Sequence, residues 1–400
     1  MPETLKVLFT FAGGAGHLTP MLPLAAALRT VGHVTGLAGQ ENVVDRTEGF
    51  DPIFPYEHTY RAGDSERTGD LVQPDLESEF AVIGDYFVSQ LGRINFDRVR
   101  SAIERWEPDL IICDEMDFGA MMAAEKAGVP RVIFKVIASG ALTRQRHVES
   151  ALRELRAHAG LSDDEALTRL NDDLVLSPFP PSFRDPRFPL PGSAIYARGS
   201  EPTRAEESSD AVEWFRSGET TQSRIYFTLG TIFNTESGDL FERVIDGLAA
   251  TGGRVLVTVG PNIDPTSIPN THSNVRLERF VRQDLILTST DLVVNHGGSG
   301  SVIGALSHGI PVVVLPMGAD QELNGQRVEA LGVGTVIDPV TSAPEQIAKT
   351  ALTVLASDVI RDAAARMREE IERLPTPEAA VSPIAQLVRE AREQSHTRKS

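Results

Sequence analysis

At 400 residues and 41% hydrophobic composition, the chain is longer than a single hydrophobic core usually grows, so two α/β domains are expected. A net charge of −18 and a pI near 5.0 disfavour nucleic acid or an anionic membrane surface as partners, since both attract basic patches. With one cysteine, no basic and apolar leader in MPETLKVLFT, and no apolar run of about 18 residues, the expectation is a soluble cytoplasmic protein without disulfides.

Residues 6–11 read as a short apolar strand, followed by Ala12-Gly13-Gly14-Ala15-Gly16-His17 and the helical spacing of Met21, Leu22, Leu24, Ala25 and Leu28. Strand, glycine loop and helix suit a dinucleotide site, but Thr19 stands where the third glycine belongs. Gly39-Gln40, rather than an acidic residue, follow the next strand at 33–37. The competing function is that Gly13, Gly14 and Gly16 present His17 at the carboxyl edge of the sheet, where imidazole can take a proton from a hydroxyl. A helix-capping histidine is the structural alternative. Residues 56–79 are polar without a sustained period and read as a surface loop. Phe80, Tyr86, Phe87, Leu91 and Phe96 then recur at partly helical spacing, a stripe that can serve as core, as binding wall, or as both.

The apolar strand 110–113 contains Cys113, which reads as a buried, inert thiol, and leads into Asp114-Glu115-Met116-Asp117 and a helix over 118–127. Asp114 falls on the same sheet edge as His17. If it accepts a hydrogen bond from one ring nitrogen, it fixes the tautomer and stabilises the imidazolium. Helix capping is the alternative role, and Asp117 is the competing carboxylate. A strand over 131–136, a helix over 152–170 and a Pro-rich then charged stretch over 179–204 complete this half, with the interdomain linker at 201–210.

The second half restarts with a strand at 224–227 and Thr228-Leu229-Gly230-Thr231, a hydroxyl-and-glycine loop suited to oxyanions. A helix over 241–250 and strands over 254–259 and 275–277 lead to Phe280-Val281-Arg282-Gln283. The most informative stretch is 291–324. There a buried strand, 292–294, runs through Gly297, Gly298 and Gly300 into a helix starting near Ser301. Backbone N–H groups at such a helix start lack acceptors and carry partial positive charge, so a phosphate can bind, with His296, Ser299 and Ser301 as further donors. The next strand, 311–315, ends near Asp320 and Gln321, sugar-type hydrogen-bonding groups at the same edge. The tail, 375–396, reads as an amphipathic helix that Pro383 should limit or bend.

Taken together, GGAGH, IICD, and above all 280–324 with HGGSGS and the later Asp-Gln pair resemble the two-domain GT-B glycosyltransferases of family 1. The likeness is closest to the bacterial enzymes that attach activated deoxysugars to antibiotics such as calicheamicin. It implies an α/β fold of two Rossmann-like doubly wound domains facing across a cleft. These are an acceptor-binding domain (1–205), a nucleotide-sugar-binding domain (206–375), and a C-terminal helix (376–400) packing back on the first. The implied reaction is inverting O-glycosyl transfer from a nucleotide-diphosphate sugar to a hydroxyl of a hydrophobic natural product, without metal or other cofactor. In this likeness His17 falls on the catalytic base and Asp114 on its orienting carboxylate. Phe280 stacks on the base, main-chain groups near Val281 read its edge, and His296, Gly298, Ser299, Gly300 and Ser301 hold the pyrophosphate. Asp320 and Gln321 reach the sugar, and Gly16, Thr228, Gly230 and Thr231 are further donor contacts. Phe80, Tyr86, Phe87 and Met116 are the acceptor candidates. Gly304 stands where uridine-type relatives carry a ribose-binding glutamate, which suits a thymidine-diphosphate (TDP) sugar. The partners implied are that donor and the small acceptor, with no nucleic acid and no membrane insertion, and a homodimer is compatible. A non-catalytic auxiliary and a sugar-nucleotide epimerase on the same fold are the competing functions.

Overall fold

The computed structural model describes residues 3–45, 47–57, 71–164, 173–199, 210–218, 221–230 and 232–397. They form two compact units, one of Met1–Tyr60, Glu77–Ser200 and Leu374–Ser400, the other of Arg61–Leu76 and Glu201–Arg373. In the first, strands β1 (Lys6–Thr10), β2 (Val34–Gln40), β3 (Ile53–Tyr56), β4 (Leu110–Asp114), β5 (Arg131–Phe134), β6 (Leu174–Ser177) and β7 (Ile195–Tyr196) form a sheet in the order β3-β2-β1-β4-β5-β6-β7. All its pairings are parallel. Helices cover both faces of such a sheet, which is why the centres of β1 and β4 are continuous apolar runs with no solvent exposure. Strand order reverses between β1 and β4, and sheets of this kind bind ligands beyond the carboxyl ends at that point. The segments leaving it carry His17 and Asp114.

The second unit repeats the plan. Strands β8 (Arg224–Thr228), β9 (Arg254–Thr258), β10 (Val275–Glu278), β11 (Leu292–Asn295), β12 (Val312–Val314) and β13 (Gly334–Val336) form a parallel sheet in the order β10-β9-β8-β11-β12-β13. The helix Leu240–Ala249 buries Phe241, Val244, Ile245 and Leu248 against it, the spacing of one helical face. The reversal lies between β8 and β11, where Thr228 is in register with Asn295.

Several elements differ from the sequence reading. The helix expected over 152–170 is Gln145–His158; Val148, Leu152 and Leu155 are its buried stripe, and Gly160, at φ +63°, lies just past its end. Residues 165–170 of that expectation lie outside the described residues. β3 and β6 were not expected, nor was the two-residue β7. The loop read over 56–79 starts only after β3 and gives way to a helix at Leu76–Val82, while residues 58–70 between them lie outside the described residues. The linker at 201–210 also falls there, apart from Asp210, which opens the helix Asp210–Arg216.

The tail is a short turn, Pro377–Ala380, followed by the helix Val381–Thr397. Pro383 sits in that helix's first turn, where a missing N–H costs no intrahelical bond, so the helix runs through it. Arg392 ties the helix to Asp109 of the first unit at 2.6 Å. Cys113 is fully buried, and burial pushes its thiol well above the ordinary pKa, consistent with an inert side chain. No helix among the described residues is long and apolar enough to cross a membrane.

Candidate active site

After β1 the chain makes one helical turn, Ala15–Leu18, whose third residue is His17. A methyl group at Gly13 would collide with the His17 ring, so glycine there lets the imidazole lie against its own loop. His17 Nδ1 is 3.0 Å from Asp114 Oδ2 at the end of β4. Asp114 is fully buried, and main-chain donors hold both its oxygens: Ala12 N at 2.8 Å on Oδ2 and Met116 N at 2.6 Å on Oδ1. With Nδ1–H donated to this carboxylate, the proton-accepting lone pair of the ring is on Nε2, and the imidazolium formed there has a fixed counter-charge.

Asp117 has the other role. Its Oδ1 accepts from Ala120 N at 3.1 Å, capping the helix Phe118–Ala127, and from Asn95 Nδ2 at 3.1 Å. Burial, and next the Asp114 charge, push its carboxyl pKa up to about 6.

Phe87, in the π-helical segment Ile83–Leu91, stacks nearly parallel on His17 at 6.4 Å, and Tyr86 meets Phe87 edge-on. Phe80 and Met116 are buried, Phe80 against His147 and Met116 with its sulfur 4.0 Å from the Thr143 hydroxyl. The aromatic stripe is therefore core at Phe80 and a partly exposed wall at Tyr86 and Phe87. Gly16 is exposed in the turn that carries His17.

At the reversal point of the second sheet, Gly230, at φ +71°, packs on His296, and a methyl group there would lie 2.7 Å from the ring. Its N–H donates to Thr228 Oγ1 at 3.2 Å, while Thr231 lies outside the described residues. Burial holds the His296 pKa down to about 4, so the imidazole is neutral at neutral pH. His296 Nδ1 and Asn295 Nδ2 are buried there and make no hydrogen bond among the described residues. Gly297, at φ +92°, turns the chain and donates its N–H to Asn295 Oδ1 at 2.7 Å. Gly298 then caps the helix Ser299–Ser307, which begins two residues before the expected Ser301. Gly300 is exposed and Ser301 half-buried in its first turn, whose N–H groups face outward with partial positive charge.

Three expected ligand groups also serve the scaffold. Ser299 Oγ donates to Asp320 Oδ2 at 2.6 Å, so that hydroxyl is turned inward rather than offered to a phosphate. Asn324 Nδ2 reaches the same oxygen at 2.7 Å and Gly297 O at 2.8 Å, fastening the glycine loop to the helix Gln321–Ala330. Gln321 Oε1 accepts from Met317 N at 2.7 Å and Gly318 N at 3.3 Å. Sequence reasoning gave no role to Asn324 or Asn295. The available signal for Asn324 was its place four residues after Asp320, one turn along a helix.

Phe280 is 70% exposed, an unusual amount for an aromatic ring, while Val281 beside it is buried. Nearby, Gln283 Nε2 donates to the Tyr226 hydroxyl at 3.4 Å, which in turn pairs with Thr258 Oγ1 at 2.8 Å. A Cβ placed on Gly304 would meet Gln283 Oε1 at 3.6 Å and Leu287 Cδ1 at 3.9 Å, ordinary contacts, so close packing does not explain the glycine.

Residues 242–387 match the family model of the erythromycin biosynthesis protein CIII-like C-terminal domain. The chain is 27% identical to the L-demethylnoviosyl transferase of Streptomyces niveus, over 95% of this chain and 98% of that protein. Among solved structures, the calicheamicin glycosyltransferase CalG4 matches with a TM-score of 0.77 at 19% identity, covering 96% of this chain and 98% of that one. The Streptomyces sp. SF2575 glycosyltransferase SsfS6, complexed with thymidine diphosphate, matches with a TM-score of 0.74 at 22% identity, over 96% and 99%. The fold is that of the GT-B glycosyltransferases, and the matched C-terminal domain and the full-length relatives make this chain similar to the antibiotic glycosyltransferases.

Proposed function

We propose that the protein transfers a sugar from a TDP donor to a hydroxyl of a hydrophobic natural-product aglycone, with inversion at the anomeric carbon and without a metal. The observation that carries this reading is the His17–Asp114 pair, 3.0 Å apart at the reversal point of the first sheet. The acceptor O–H gives its proton to His17 Nε2, and its oxygen forms the new bond to the anomeric carbon. The bond from that carbon to the phosphate oxygen breaks on the opposite face, and the electron pair leaves with the nucleoside diphosphate. The developing negative charge meets the N–H groups at the start of the helix Ser299–Ser307 and the neutral His296 imidazole.

Phe280 supplies an exposed ring for the base to stack on. Gly304 supports thymidine over uridine nucleotides, since no carboxylate stands there to be left unsatisfied by a missing ribose hydroxyl. The transferase relatives, and the TDP complex of one structural neighbour, support the same substrate classes. Incubation with a panel of TDP-sugars and polyphenol or polyketide aglycones, read by mass spectrometry, tests the reading. Glycoside formation that is lost in His17→Ala is expected, and donor consumption without any acceptor would overturn it in favour of another reaction.

A further inference from the structure

We propose that the acceptor carries a carboxylate or an equivalent planar anion about 10 Å from its reacting hydroxyl, and that Arg144 binds this group. The proposal rests on the acceptor-side reading above and names the class of molecule that the first unit selects.

Arg144 stands immediately before the helix Gln145–His158. Its guanidinium lies over the Phe188 ring at 4.0 Å and over the Phe80 ring at 4.7 Å. The carboxylates around it are engaged elsewhere: Glu77 pairs with Arg146 at 2.5 Å and with His147 at 3.3 Å, and Asp185 pairs with Arg187 at 2.6 Å. Among the described residues the Arg144 guanidinium makes neither an ion pair nor a hydrogen bond, while its main-chain carbonyl accepts from His147 N at 3.0 Å. Burial, and next the Arg187 charge, pull its pKa down against the opposing pull of the Asp185 and Glu77 carboxylates. With aromatic faces against the guanidinium, recognition falls to the N–H groups along its edge, which match a carboxylate in bidentate geometry. The N–H groups of the helix's first turn add positive potential at the same place.

Two short paths connect this cation with His17. Thr143, its neighbour in the chain, places Oγ1 4.0 Å from Met116 Sδ, and Met116 N is bonded to Asp114, the partner of His17. On the other side, Phe80 touches Arg144 and Phe87 stacks on His17. These two residues lie seven apart on one continuous helical run, a span of about 10 Å. An acceptor lying along Phe87 with its hydroxyl at His17 would bring a group at that distance to Arg144. The competing role is purely structural, with Arg144 fastening Phe80 to Phe188.

The probe is 4′-hydroxybiphenyl-4-carboxylate, whose carboxylate lies on the order of 10 Å from the phenol oxygen, compared with its methyl ester. Calorimetric titration of the full chain, with no sugar donor present, reads binding independently of transfer. The acid should bind about tenfold more tightly than the ester. R144Q should remove that difference while leaving ester affinity in place, and R144K should keep part of it, because lysine retains the charge but not the fork. Equal affinity of acid and ester for the parent, a preference that survives R144Q, or binding of neither probe would overturn the proposal. If R144Q fails to fold, the comparison on the parent alone decides. Acid preference that R144Q removes, in a protein that transfers no sugar, would sink the proposed function and leave Arg144 as the residue that binds a carboxylate ligand. Transfer to neutral aglycones without acid preference would do the opposite.

Discussion

Asp114→Asn changes one atom in a carboxylate that accepts three hydrogen bonds, from His17 Nδ1 at 3.0 Å, Ala12 N at 2.8 Å and Met116 N at 2.6 Å. An amide cannot serve all three. If its NH2 faces Ala12 and His17, it meets a main-chain donor and forces the ring into the tautomer whose Nε2 already holds a proton. If it is turned the other way, it faces Met116 N–H. Either orientation leaves a buried donor against a donor and removes the negative charge beside the imidazolium. A hydrogen bond to a charged group contributes about 1.5–3 kcal/mol, which corresponds to roughly ten- to a hundredfold in rate. We therefore expect kcat/KM for glycosyl transfer to fall by that factor, with donor-product affinity unchanged and a lowered unfolding midpoint. The assay is initial-rate transfer to a fixed aglycone across acceptor concentrations, with calorimetric titration of TDP alongside. Parent-like turnover in Asp114→Asn, or a larger loss in Asp117→Asn, would refute the assignment of the carboxylate.

His17→Ala should lower turnover further, by about a hundred- to ten-thousandfold, while TDP binds as before; turnover within a few-fold of the parent would require another base. Asp117 has a folded pKa of about 6, above the ordinary 3.8, so the stability it contributes as a neutral acid is full below that ordinary value and is lost as pH rises through 6. Asp117→Asn, neutral throughout, should lack that fall in a series of thermal midpoints across this window, and an unchanged slope would show that the carboxyl is not buried as an acid. TDP should bind more tightly than UDP, and Gly304→Glu, whose Cβ meets nothing closer than 3.6 Å, should narrow or reverse the preference. Calorimetry showing equal or tighter UDP binding to the parent would end that argument.

The parts of this fold that could be read in the sequence are those where both faces of a strand are buried. Leu110 to Cys113 and Leu292 to Val294 are unbroken apolar runs because helices cover them on both sides. β3 was missed because Pro55 argues against a strand, yet this strand lies on the sheet edge, where a missing N–H is tolerated. The helix Gln145–His158 begins earlier than its apolar spacing predicts because its first three residues are polar, and it ends earlier because the chain reaches Gly160, at φ +63°, two residues past its end. At the site, the types and order of His17, Asp114 and His296 were legible. The choice between Asp114 and Asp117 was not, because both follow the same strand and only the three-dimensional path shows which carboxylate meets the ring. The inward turn of Ser299 toward Asp320 was equally hidden, since it depends on where the next strand delivers its carboxylate.

The anchoring of Asp114 bears on which substitutions its neighbours allow. Two of its three partners are amide groups of the chain itself, at Ala12 and Met116, and every amino acid except proline supplies the same N–H. The carboxylate asks only for the N–H at these positions, while the side chains of Ala12 and Met116, both buried, are constrained by packing. The device is set by the curvature of the two loops that aim these N–H groups at the carboxylate. Saturation libraries at residues 12 and 116 should accordingly keep activity only with side chains that fit a buried site, and should reject proline even where its volume fits.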